Sequence, residues 1–80
     1  MTDMKFANSL AKLLTAYVDA IYAGDKDVEM MLEKKAREVY VDHMMAVNKV
    51  DYPNLSPSEE REFKMLFNED LDMLLDAYKQ

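Results

Sequence analysis

The sequence predicts an all-α fold: an antiparallel three-helix bundle with helices at about 3–23, 26–49 and 57–78, in one domain spanning residues 1–80. Three observations carry that expectation. Apolar residues recur three and four apart through three long segments, the period of a helix with one buried side. The single glycine and the two prolines lie between those segments or at their edges. Nowhere do apolar and polar residues alternate as a half-buried strand would require.

Thr2 or Asp3 is placed to cap the first helix, and Phe6, Leu10, Leu13, Leu14, Tyr17, Val18 and Ile21 form its main stripe. Lys5, Asn8, Lys12, Thr15 and Asp19 face away, while Ala7, Ala11 and Tyr22 widen the apolar side. A helix with so wide an apolar arc is expected to touch two neighbours, or one neighbour and a partner. Gly24 stands where a left-handed residue ends a helix, and Asp25 or Asp27 can cap the next. So short a connection sets the first two helices roughly antiparallel.

The second helix has no internal Gly or Pro. Val28, Leu32, Ala36, Val39, Tyr40, His43, Ala46, Val47 and Val50 share one side at about 100° per residue and form its expected core stripe. Glu33 and Arg37, four apart with the acid first, are spaced for an ion pair. Pro53 then denies its predecessor a helical backbone. Ser56-Pro57-Ser58-Glu59 spells a capping box with proline in the first helical position. The third helix follows, with Phe63, Leu66, Phe67, Leu71, Leu74, Leu75 and Tyr78 as its apolar stripe.

Half of the 80 residues are apolar and 32% are charged, a globular composition. A chain this short buries only about 60% of its unfolded surface, so a partner or a second copy would add needed stability. With no cysteine there is neither a disulfide framework nor a thiolate metal site, which fits a reducing compartment; a cytoplasmic location is expected. The start, MTDMKFANS, lacks a basic segment followed by an apolar run, so no signal peptide is expected. No run of about 18 apolar residues exists, so no membrane span is expected.

The net charge of −6 is unevenly placed. Residues 1–24 carry two bases and two acids, residues 25–55 five and seven, and residues 56–80 three and seven. Duplex-binding proteins need a basic face to displace counterions. None is present here, so direct nucleic-acid binding is not expected. The better targets are basic proteins, or the nucleic-acid channels of other proteins.

Two faces are candidate partner-binding sites. On the third helix Glu62, Met65, Glu69, Asp72 and Asp76 alternate steps of three and four and so form a line about 21 Å long. Lys64 is expected to pair with Glu60, leaving few cations to neutralise the line. Such a row can imitate a phosphate backbone and enter a basic groove; the alternative is a solvated face that keeps the protein soluble. Asp72 and Asp76 sit near the helix C-terminus, where the helix dipole disfavours acids. On the second helix Met30, Arg37, Val41, Met44 and Met45, with Lys34, point away from the expected core stripe. They form a candidate docking or dimer face, because methionines adapt to partner surfaces. The alternative is that this helix packs against both others and its apolar arc is simply wide.

Other constellations carry less. His43, the lone histidine, lies in the apolar stripe and reads as a core or boundary residue, with no second His or Cys for a metal. Asp42 is adjacent in sequence but diverges from it around the helix. Asp51, Asn54, Ser56, Glu59 and Glu60 supply loop oxygens but lack the sixth-position glycine of an EF-hand. A helix-turn-helix reading fails because the second helix would present Glu29, Glu33 and Glu38 to the groove. No catalytic set, phosphate loop or cofactor motif is present, so neither enzymatic activity nor a cofactor is expected. In size and charge, though in no motif, the chain resembles small acidic inhibitors and accessory proteins of phages and mobile elements. The expected function is that of a non-enzymatic module that docks on another macromolecule, a protein with a basic surface, and occludes or regulates it. The alternative is a structural homo-oligomer, such as a homodimer, with a shared helical core.

Overall fold

The computed structural model describes residues 2–79, with side chains described from residue 4 onward. They form three helices, α1 (Thr2–Ala23), α2 (Lys26–Asp51) and α3 (Pro57–Lys79), and no strand appears among the described residues. The expected boundaries extend by one or two residues at their ends. The expected cap by Thr2 or Asp3 lies outside the described side chains.

The punctuation acts as its chemistry requires. Gly24 adopts φ +75°, a left-handed backbone that costs a residue without Cβ little. Its amide donates to the Ile21 carbonyl at 3.1 Å. The Asp25 carboxylate then accepts from the Val28 amide at 3.3 Å and opens α2. At the second connection the capping box closes in both directions. The Glu59 amide donates to the Ser56 hydroxyl, and the Ser56 amide to the Glu59 carboxylate, each at 3.2 Å.

Neighbouring helices meet in opposite chain order. Phe6, near the start of α1, stacks on His43, late in α2, with ring centroids 3.7 Å apart. Late in α2, Lys49 pairs with Glu60 at the start of α3, while mid-α2 Arg37 pairs with Asp72 further along α3. The main core joins all three helices through Leu10, Leu14, Tyr17, Ala36, Leu71 and Leu75. A second cluster, Val41, Met45 and Phe67, is built by α2 and α3 alone, with Met44, Leu55 and Phe63 packed around it.

That second cluster corrects the reading of α2. Val41 and Met45 are buried and Met44 is half-buried, so they do not form an outer face. Val28, Ala46, Val47 and Val50, expected in the core, are exposed. The reason is geometric. α2 lies between two neighbours and turns one stripe to α1 and another to α3. Val28 lies in the first turn of α2 and Val47 and Val50 in its last turns, at the two ends of the stripe that faces α1. Leu66, expected in the α3 stripe, is also exposed, because it lies about 100° around the helix from buried Phe67.

Candidate functional site

The outer face of α3 follows from its inner one. Phe67, Leu71 and Leu75 are buried, and residues about half a turn away must face water. Glu62, Met65, Glu69, Asp72 and Asp76 are all exposed, as one row on one helix. Met65 keeps 64% of its surface open and Met73 72%, and Leu66 is more than half exposed. Leu66 and Met73 lie along the same side as Glu62 and Glu69 but were not part of the expected site. Their signal was the spacing 62, 66, 69, 73, which repeats four, three, four. A shallow hollow of about 260 Å³ opens between Glu62, Met65, Leu66 and Glu69. The face is therefore acidic and apolar at once, with carboxylates beside thioether and leucine side chains.

One member of the row differs from the rest. Asp72 accepts from the Arg37 guanidinium at 2.7 Å. Arg37 also donates to the Asn68 amide oxygen at 2.9 Å and pairs with Glu33 at 3.3 Å, as the i, i+4 spacing predicts. The hydrogen bond to Asp72 holds the guanidinium pKa above its ordinary value, against the opposing effect of burial. The cation thus spends its charge inside the α2–α3 contact. Arg37 belongs to that clamp and not to an open docking face, and the carboxylates of the row outside any ion pair reduce to Glu62, Glu69 and Asp76, the last within reach of the Lys79 charge. Glu60 departs from expectation as well. Its partner is Lys49 at 2.8 Å, not Lys64, and the hydrogen bond and charge of Lys49 hold its pKa below the usual carboxylate range.

The candidate face on α2 does not assemble. Met30 is exposed, but Val41, Met44 and Met45 turn toward α3 and Arg37 is bound across it. Of that face, Met30 and the neighbouring Lys34 alone stay open to a partner.

No protein-family model, curated protein or solved structure matches this chain. The case for a site therefore stands on geometry alone. Among the described residues no three His, Asp or Glu side chains converge as a metal ion would need. No buried side-chain nitrogen or oxygen there lacks a hydrogen-bond partner. No helix there is long and apolar enough to cross a membrane. The concave places are shallow and open along helix faces. Shallow faces suit contact with another macromolecule better than capture of a small molecule, which needs a cleft that buries it.

Proposed function

We propose that this chain is a non-enzymatic binding protein of the cytoplasm. It docks through the outer face of α3 on a protein with a basic surface and occludes or regulates that partner. One observation carries the reading: Glu62 and Glu69 stand unpaired, and Asp76 feels only the charge of Lys79, among exposed Met65, Leu66 and Met73 on a single helix. Carboxylates speed the encounter with a basic partner, and desolvated apolar side chains supply most of the holding energy. The methionines let one face conform to the partner's relief. Imitation of nucleic-acid charge in a basic groove is a form of the same reading. The thioethers within the row favour a groove whose floor is apolar and whose walls are basic.

The test replaces Glu62, Glu69 and Asp76 together with lysine. Asp72 is left intact because it holds Arg37. The wild-type chain is expected to capture a protein from the source cell, with capture weakening as salt rises. The triple variant, equally helical by circular dichroism, is expected to lose it. Capture of the same protein at undiminished yield by the variant would show the face to be ordinary solvated surface.

A further inference from the structure

The first helix keeps an outer face that the bundle covers only along its Val18 edge. Met4, Asn8, Ala11, Thr15, Val18 and Tyr22 follow one another at steps of four, three, four, three and four, and so share one stripe. The sequence of steps is the same read from either end. The two largest side chains stand at the ends and are wide open, Met4 at 70% and Tyr22 at 78% exposure. The middle is small. A shallow groove of about 480 Å³ lies over Ala11, Thr15 and their neighbours. The Thr15 hydroxyl donates to the Ala11 carbonyl at 2.8 Å, so its proton makes no demand on a covering surface.

We propose that a second copy of this chain covers this face, α1 against α1 in antiparallel order, as an isologous pair. Centred between Ala11 and Thr15, the pairing sets Ala11 against the partner subunit's Thr15 and Met4 against the partner subunit's Tyr22. Small residues at the centre let the helix axes approach closely, and the large ends close over the gap.

Charge selects the second copy over a basic protein for this face. On one edge of the stripe, with exposed Lys12 midway along the same line, stand Lys5 and Asp19, within about 40° of each other around the helix at 100° per residue. They are about 21 Å apart along one helix, too far to pair within it. Among the described residues no ion pair within the chain engages either. Centred in this way, the antiparallel arrangement sets Lys5 of each copy within two residues, about 3 Å along the axis, of Asp19 of the other, so two pairs form by symmetry while the two Lys12 side chains meet near the two-fold. Residues 1–24 carry no net charge, whereas residues 56–80 carry seven acids to three bases. Two copies meeting through α3 would therefore repel. The α1 pairing leaves the outer face of α3 open and does not depend on what that face binds.

Sedimentation equilibrium from low to several hundred micromolar tests the proposal. The wild-type mass is expected to rise from that of the 9.3 kDa chain toward twice that value. Ala11→Arg, at an exposed position, is expected to keep its helicity and remain a monomer. Lys5→Asp or Asp19→Lys alone should weaken the dimer by about tenfold, since two exposed ion pairs are lost and two repulsions made; the two swaps combined should restore it. A wild-type monomer at every concentration would overturn the proposal. So would a dimer that survives Ala11→Arg, or one abolished by Glu69→Lys on α3.

Discussion

At the scale of the residue, Arg37 and Tyr40 show how polar groups inside an apolar bundle are placed. Arg37 spans α2 and α3 with contacts to Glu33, Asn68 and Asp72. Its ion pairs are partly exposed, so each is worth little; their number and the amide hydrogen bond give the residue its weight. Arg37→Ala is expected to lower unfolding free energy by about 1–2 kcal/mol, read as a lower urea midpoint at unchanged slope. Tyr40 is half-buried beside Phe6. Burial first, and then the charge of Asp70, hold its phenol above the ordinary value of 10.0. The folded state thus favours the neutral phenol. Its contribution is whole below pH 10 and is lost as pH rises through the folded value. Thermal melts across the alkaline range should show wild type losing stability relative to Tyr40→Phe above pH 10, and equal slopes would contradict this.

At the scale of the element, local signals were legible and the facing of α2 was not. Gly24 and the Ser56–Glu59 box involve residues within a few positions of one another, so side-chain chemistry alone places them. Ser56→Ala is expected to cost about 1 kcal/mol through the lost cap, measured as a lower melting temperature. The facing of α2 depends on its neighbours. Its apolar residues fall into two stripes, one holding Leu32, Ala36 and His43, the other Val41 and Met45. Periodicity shows that both exist but does not say that both are covered. Treating the second stripe as surface placed buried Val41 and Met45, with half-buried Met44, on a docking face. Nor could spacing within α2 show that Val47 and Val50, at the end of the stripe, are left exposed. The α3 row was legible because it is opposite an unambiguous stripe. What spacing within α3 could not show is that Asp72 is already taken by a cation from α2.

At the scale of the whole molecule, the three helices differ in what they offer outward. α2 turns one stripe to each neighbour and leaves Met30, Met31, Val47 and Val50 exposed, α1 presents a face without net charge, and α3 presents carboxylates among methionines and leucine. The seven methionines with described side chains are spread over these surfaces and the interior: Met4 on α1, Met30 and Met31 on exposed α2 positions, Met44 half-buried and Met45 buried against α3, Met65 and Met73 exposed on α3. Each methyl group is thus a reporter of its own face. With the protein labelled at its methionine methyls and titrated with the captured partner, the Met65 and Met73 resonances are expected to shift or broaden first, while Met30 and Met45 hold still. Shifts confined to Met30 or Met31, or a spectrum unchanged at saturating partner, would contradict docking through α3.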